Sequence, residues 1–164
     1  APTRGLMGYT SRFLTLTKGT GVINRIFHGY GKFEGEMDGR KNGALISMAT
    51  GKAVAFAIFN LQARGEMFVT HNDPVYEGMI VGLAPKPGDM IINVMKGKQL
   101  TNMRTQGTDE NVVLTPVRQM SIAEQLSMLN TDEALEITPK SLRLRKAILN
   151  PNDRKKNEKS GTPL

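Results

Sequence analysis

The sequence predicts an α+β protein that is mainly β, with short helices placed between short strands. Two observations support this class. Apolar runs of strand length alternate with Gly- and Pro-rich turn segments, and even the longest apolar run, residues 53–59, is only as long as a strand. The 164 residues fit one ordinary domain or two small ones, and 39% of them are hydrophobic, which is enough for a core. No apolar run approaches the roughly 18–20 residues that span a bilayer, so we expect no membrane partner.

The first elements of the chain predict a small β/α piece. Residues 4–18 predict a helix, because their apolar side chains recur at helical spacing. We expect this helix to end at Gly19, since glycine adopts the left-handed conformation that closes helices. Residues 22–30, rich in β-branched and aromatic side chains, predict a strand. A polar, Gly-containing break follows, so we expect a domain boundary near residue 36.

The remaining elements are mostly strands. They are predicted over residues 44–48, 53–59, 76–83, 90–95, 112–114, 134–138 and 141–145. Residues 49–52 have the composition of a hairpin turn between the first two of these strands. Ser121 and Glu124 have the spacing of a capping box, which predicts a short helix. Asn150 followed by Pro151 predicts the start of a terminal helix.

Catalytic and metal-binding chemistry finds little support in the sequence. There is no Cys, and the two His residues lie more than forty positions apart. His71-Asn72-Asp73 has the types of a base beside an acid, but its composition is more typical of a turn. Residues 49–52 resemble the end of a phosphate loop, yet they lack its leading Gly and its Ser/Thr after Lys52. We therefore expect no enzyme activity, no metal and no cofactor in these residues, and a small hydrolase is the weakest hypothesis.

The positive charge of the chain is concentrated near its end. The formal net charge is +7, and residues 140–159 alone carry +6 of it. Strand alternation within this basic tail puts Leu142 and Leu144 on one face and Arg143 and Arg145 on the other. Such a tail is compatible with a polyanionic partner and equally with a solvated terminus that keeps the protein soluble.

A second basic feature is the polar segment 96–111, which has almost no hydrophobic periodicity. Lys96, Lys98 and Arg104 have no acid between them, and amide, hydroxyl and Gly residues surround them. These groups contact phosphates and ribose hydroxyls in RNA complexes, and a loop of this length is usually functional. Composition alone leaves two interpretations open, a nucleic-acid contact and a solvated loop.

Several long motifs in this order resemble one known family. They are Lys96-Gly97-Lys98, Leu100-Thr101-Asn102-Met103-Arg104, Gly107-Thr108-Asp109-Glu110, Asn42-Gly43, Leu45-Ile46-Ser47, the run from Gly51 to Ala57, the run from Val75 to Ile80, and Thr138-Pro139 through Lys146. Together they resemble the C-terminal domain of the BipA/TypA translational GTPases. By this resemblance, residues 37–164 form that β-rich, barrel-like domain. Residues 1–36 resemble the second half of a ferredoxin-like domain, the fifth domain of elongation factor G.

The resemblance implies a C-terminal fragment of a cytoplasmic, ribosome-binding protein. The GTPase domain, with its GTP and Mg²⁺, would lie outside these residues, which leaves no cofactor here. The implied role is large-subunit assembly together with stress and cold adaptation. The implied partners are large-subunit rRNA and the acceptor end of A-site tRNA. We expect the incomplete N-terminal half-domain either to pack on the C-terminal domain or to be completed by a second copy through self-association.

Carried over by position, the resemblance assigns RNA contacts to individual residues. In the loop they are Lys96, Lys98, Asn102, Met103, Arg104 and Thr108. The basic tail adds Lys140, Arg143, Arg145 and Lys146 as further RNA-binding candidates. The alternative is a β-rich protein-interaction module whose basic tail only improves solubility.

Overall fold

The computed structural model of this protein describes residues 1–6, 9–33, 35, 40–97 and 113–160. Its helices are a 3₁₀ turn at Thr3–Leu6 and the α-helices α1 (Tyr9–Leu16), α2 (Ala55–Gln62), α3 (Ile122–Ser127) and α4 (Pro151–Ser160). Its strands are β1 (Ala44–Ser47), β2 (Gly51–Lys52), β3 (Glu66–Met67), β4 (Pro74–Val75), β5 (Ile80–Leu83), β6 (Met90–Ile92), β7 (Glu133–Ile137) and β8 (Leu142–Lys146). The fold is mixed α and β and mainly β, as predicted. Within these ranges no helix combines the length and the apolar character needed to cross a membrane.

The centre of the molecule is a four-stranded sheet with the order β3-β5-β1-β6. β1 runs antiparallel to β5 and parallel to β6. In this register, Leu45 is aligned with Gly82 on one side and with Met90 on the other. All residues of β1 and β5 are buried, as expected for strands covered on both faces. β3 and β6 are the edges of this sheet. The described strands therefore do not close into the barrel-like arrangement that the resemblance implies.

Different elements cover the two faces of the central sheet. Leu45 belongs to an apolar cluster that includes Ile58 and Leu61 of α2. Its neighbour Ile46 belongs to a second cluster that includes Leu144 of β8. Because side chains alternate along a strand, these clusters lie on opposite sides of β1. α2 therefore covers one face of the sheet and the β7–β8 hairpin covers the other.

The N-terminal segment has the predicted helix end but lacks the predicted strand. α1 is followed by Lys18 and Gly19 with φ of 52° and 80°, and the Gly19 N–H donates to the carbonyl of Leu14 at 2.7 Å. Residues 22–30 form neither helix nor strand, so that prediction is wrong. β-branched and aromatic residues form a strand only where a partner strand pairs with them. The predicted boundary near residue 36 lies outside the described residues.

α2 replaces the strand predicted over residues 53–59, so that prediction is also wrong. Ala57, Ile58 and Leu61 are its buried residues, which is helical spacing. A short apolar run does not distinguish a buried strand from a buried helix, and its three alanines favour the helix. The hairpin expected at residues 49–52 does not form either, because β2 pairs with β4 and β1 pairs with β5 and β6.

The C-terminal third follows the predictions more closely. The Ser121 hydroxyl accepts a hydrogen bond from the Glu124 N–H at 3.3 Å, and the Glu124 carboxylate accepts one from the Ser121 N–H at 2.9 Å. This capping box starts α3 as expected. β7 and β8 form an antiparallel hairpin. The Asn150 side chain accepts two N–H bonds from the first turn of α4, at 2.9 and 3.3 Å. Residues 113–114, where a strand was predicted, are irregular.

Candidate nucleic-acid interface

The predicted RNA-contacting loop, residues 96–111, starts just after the central sheet ends. Val94 is fully buried, and its carbonyl accepts a hydrogen bond from the Val54 N–H at 2.9 Å. This bond ties the root of the loop to the start of α2. Lys96 follows and is exposed. The other loop candidates, Lys98, Asn102, Met103, Arg104 and Thr108, lie outside the described residues.

Lys96 stands at a groove of about 360 Å³ between α2 and β6, which we call the α2–β6 groove. Its half-buried or exposed lining side chains are Phe56, Asn60 and Arg64 from the α2 segment, and Ile91, Asn93 and Lys96 from the β6 segment. Phe56 and Asn60 are four residues apart and share one face of α2, and Arg64 follows at the same spacing just beyond the end of the helix. The described lining contains no carboxylate, so Arg64 and Lys96 make the groove electropositive.

The second predicted basic surface lies on the β7–β8 hairpin. β8 alternates as expected, with Leu144 buried and with Arg143 and Arg145 half-buried on the opposite face. Arg143 is aligned with Glu136 on β7 and pairs with its carboxylate at 3.3 Å. Arg145 donates to two backbone carbonyls at the end of β8. A guanidinium has five N–H donors, so both arginines keep donors for a ligand.

Tyr76 joins this basic face through Glu136. Its hydroxyl donates to the Glu136 carboxylate at 2.5 Å. Burial and this bond to an anion raise the pKa of Tyr76 to about 12. The same bond, helped by the positive charge of Arg143, lowers the pKa of Glu136 although burial opposes it. Glu136 is therefore ionised at neutral pH and positions Arg143.

Lys140 and Arg143 also line a larger cleft of about 810 Å³, which we call the hairpin cleft. Its walls are mostly apolar, and Arg118 adds a third cation. Gln125 is a buried residue in this lining, and its side-chain nitrogen donates to the carbonyl of Met120 at 3.4 Å. Its Oε1 is buried with no hydrogen-bond partner among the described residues. The cleft therefore offers an apolar surface, and one unsatisfied acceptor is buried in its wall.

Lys146 is the candidate whose surroundings differ most from the expectation. Its side chain is 2% exposed, and its ammonium contacts the carboxylates of Asp89, Asp132 and Glu133, the last two at 2.6 and 3.0 Å. Arg40 pairs with Glu133 at 2.5 Å in the same cluster. Burial opposes the ammonium, but the three carboxylates outweigh it and raise the pKa of Lys146. Since Lys146 is enclosed in this buried ion cluster, we leave it out of the proposed RNA surface.

The alternation of side chains along β8 was enough to predict from the sequence that Lys146 is buried. If Leu142 and Leu144 face the core, Lys146 at the next even position faces it too. Asn60 and Arg64 were missed for a different reason. A strand prediction over residues 53–59 hides the four-residue spacing of Phe56, Asn60 and Arg64.

The described residues contain no group of three His, Asp or Glu side chains arranged to hold a metal. The segment from His71 to Asp73 is a turn, as its composition indicates. Asn72 has φ of 69°, and the Asp73 carboxylate accepts a hydrogen bond from the Thr70 N–H at 2.7 Å. The exposed polar groups described above are suited to binding an anion through charge and hydrogen bonds.

Comparison of the sequence with known proteins relates the chain to one family. The TypA/BipA C-terminal domain matches residues 42–151, about two thirds of the chain. Proteins named large ribosomal subunit assembly factor BipA are similar along nearly the whole chain. The protein of Buchnera aphidicola is 48% identical over 98% of this chain, that of Salmonella typhimurium 47% over 94%, and that of Haemophilus influenzae 43% over 98%.

This chain spans about a quarter of the length of these relatives, between 26% and 27%. The domain match includes the central sheet, the α2–β6 groove, the hairpin cleft and the start of α4. The chain therefore belongs to the TypA/BipA family and contains that family's C-terminal domain.

Proposed function

We propose that these residues bind ribosomal RNA of the large subunit and act in the assembly of that subunit. The supporting observation is the positive, acid-free groove at the root of the loop, in a chain whose relatives are named large-subunit assembly factors. In this proposal Lys96, Lys98, Asn102, Met103, Arg104 and Thr108 contact rRNA and the acceptor end of A-site tRNA. Lys140, Arg143 and Arg145 add a second contact on the hairpin. Stress and cold adaptation form the proposed cellular setting.

The proposed mechanism is electrostatic positioning. Cationic side chains displace counterions from phosphates, which supplies affinity that falls as salt rises. Asn and Thr side chains then hydrogen-bond riboses or base edges. In the cytoplasmic parent protein, GTP hydrolysis would belong to another domain, and the residues described above would supply RNA contacts.

The test is binding to purified large ribosomal subunits across roughly 50–300 mM salt. A variant with Lys96, Lys98 and Arg104 replaced by Ala is compared with the wild type. We expect an affinity loss of at least about tenfold and a salt slope shallower by about 2 to 3, one step for each lost phosphate contact. The matched control replaces Lys155, Lys156 and Lys159 in α4 and removes the same charge. Equal binding by the loop variant and the wild type would contradict the proposal.

One observation favours a second function, the binding of a protein segment. Ile122 and Ile137 are 49% and 63% exposed at the hairpin cleft, where the Gln125 acceptor has no partner. Apolar side chains of a bound segment would cover these isoleucines. Binding that is insensitive to salt, and that is lost in an Ile122→Ser/Ile137→Ser variant, would favour this function over RNA binding.

We also propose self-association through the N-terminal segment. Val22, Ile26, Phe27 and Tyr30 are each more than 70% exposed. Burial of such apolar side chains against a second copy would be favourable. Light scattering over a range of concentrations should give a rising mass that falls in an Ile26→Ser/Phe27→Ser variant. A strict monomer at every concentration would contradict this.

A further inference from the structure

We propose that the α2–β6 groove binds one nucleotide of the RNA. Its phosphate lies between Arg64 and Lys96, and its base lies against Phe56 and Ile91. The inference rests on the proposed RNA-binding function and adds a site that the loop residues do not include. Four features of the groove support it: an unpaired guanidinium, unused amide groups, the shape and charge of the groove, and its position beside the loop.

The Arg64 guanidinium is the first feature. Every other arginine whose side chain the structure describes donates at least one side-chain hydrogen bond. Arg64 has no such bond among the described residues, and only its backbone N–H is used, donating to the Leu61 carbonyl at 2.8 Å. A cation just beyond the end of α2 interacts favourably with the helix dipole, but this leaves its five N–H donors unused. Those donors have the planar arrangement that binds phosphate through two parallel bonds.

The two amide side chains are the second feature. Asn60 donates its Nδ2 to the Phe56 carbonyl at 2.8 Å, which leaves its Oδ1 as an acceptor. Asn93 accepts the Met95 N–H at 2.9 Å with its Oδ1, which leaves its Nδ2 as a donor. The groove thus presents one acceptor and one donor. Every RNA base carries donors and acceptors on its edge, so these amides suit a base without selecting its type.

The shape and charge of the groove are the third feature. Its volume of about 360 Å³ lies at the small end of the range of roughly 300–1,000 Å³ that is typical of ligand pockets. Phe56 is half-buried and Ile91 is 47% exposed, which provides an apolar surface for a flat ring. Because the described lining has two cations and no carboxylate, the groove favours an anion over a neutral or cationic ligand.

The position of the groove is the fourth feature. Lys96 belongs both to the groove and to the predicted RNA-contacting loop. An RNA strand held by that loop therefore passes the mouth of the groove, where an unstacked base can enter. This continuity makes a nucleotide of the same RNA the expected occupant.

The test measures binding to purified large ribosomal subunits by Arg64→Gln, with Lys155→Gln in α4 as the control for charge. We expect Arg64→Gln to weaken binding about fivefold and to reduce the salt slope by about 1, with an unchanged melting temperature. Lys155→Gln should stay within about twofold of the wild type. Arg64→Lys should recover only part of the loss, since it keeps the charge but not the planar donors.

A photo-crosslinking benzoylphenylalanine at position 60 should also crosslink to RNA in the bound subunit, and the same group at Ser127 on α3 should not. If Arg64→Gln binds like the wild type and position 60 gives no crosslink, the groove is not a nucleotide site. The proposed RNA-binding function still stands in that case if the loop variant binds more weakly. A weakened Arg64→Gln beside an unaffected Lys98→Ala/Arg104→Ala variant, which keeps Lys96 in the groove, supports the groove and overturns the loop assignment. A wild-type protein that binds no large subunit at any salt overturns both.

Discussion

Lys140 and Lys146 lie six positions apart and meet opposite environments. Lys140 is exposed at the mouth of the hairpin cleft, whereas Lys146 is enclosed by three carboxylates. A buried ammonium is tolerated only when anions and hydrogen bonds replace its lost hydration. The same residue type is therefore an exposed, proposed RNA contact at one position and a structural ion at another.

Replacing Lys146 by Met should destabilise the fold strongly. The change leaves Glu133, whose side chain is fully buried, without one of its two cations. Breaking a buried pair in this way costs about 3–5 kcal/mol of unfolding free energy. Urea unfolding measures the loss, and Lys155→Met on exposed α4 should change it by less than about 0.5 kcal/mol. Similar stabilities for the two variants would show that the Lys146 cluster is not needed for the fold.

The raised pKa of Tyr76 predicts that the folded protein loses stability at alkaline pH. Its pKa in the folded protein, about 12, is above the ordinary value of 10.0, so the stabilisation is complete below pH 10 and is lost as pH rises toward 12. In a tyrosinate absorbance titration, Tyr76→Phe should remove the component that ionises near pH 12. Glu136→Gln should move that component to lower pH, because it removes the anion beside the hydroxyl. If the late component persists in Tyr76→Phe, the Tyr76–Glu136 bond is not its source.

At the scale of elements, the packing of the β7–β8 hairpin against the central sheet depends on a close contact between Gly78 and Leu149. Gly78 has φ of +82°, and a Cβ there would lie 2.7 Å from the Leu149 Cα, just beyond β8. The Gly78 carbonyl accepts the Lys146 N–H at 2.9 Å, which links this turn to the end of the hairpin. A side chain at position 78 would push the hairpin away from the central sheet.

Gly78→Ala should therefore lower the free energy of unfolding by more than about 2 kcal/mol. The left-handed backbone alone costs an alanine about 1–2 kcal/mol, and the contact with Leu149 adds to it. Gly31→Ala is the matched control, since a Cβ there meets nothing within 4 Å, and its change should stay within about 0.5 kcal/mol. Thermal unfolding of both variants checks this, and equal melting temperatures would contradict the proposed packing.

For the whole molecule, Asp89 connects the central sheet to the hairpin. Its carboxylate accepts the N–H of Ala44 in β1 at 2.7 Å and contacts the Lys146 ammonium in β8. Burial alone would raise the pKa of Asp89, but these two partners outweigh it and lower the pKa below 3.8. The carboxylate is therefore ionised over the whole neutral range.

Acid should weaken this connection only after it has begun to protonate exposed carboxylates of ordinary pKa, because the pKa of Asp89 is lowered. A lowered folded-state pKa contributes stability that is complete above the unfolded value of 3.8 and is lost as pH falls through the folded value. Unfolding free energy should decline below about pH 4, and Asp89→Asn should decline less steeply over that range. Urea titrations at several pH values measure both slopes. Parallel slopes would assign the acid sensitivity to other carboxylates.

Local interactions account for the features that could be predicted correctly from the sequence. The end of α1 at Gly19, the Ser121 capping box and the Asn150 cap depend on residues within a few positions of each other. The alternation of Leu144 with Arg143 follows from strand geometry alone. The family, too, follows from ordered motifs in the sequence, and the domain match agrees with them.

The features that join distant parts of the chain depend on its tertiary packing. The apolar run at 53–59 became a helix because Ile58 and Leu61 pack on the central sheet, a partner that the run itself does not specify. Residues 22–30 have strand composition but no described strand partner, so their propensity alone does not produce a strand. Arg64 and Lys96 line one groove because α2 and β6 pack side by side. The spacing of residues along the chain does not specify long-range packing, because burial and charge pairing depend on which surfaces meet after the chain has folded.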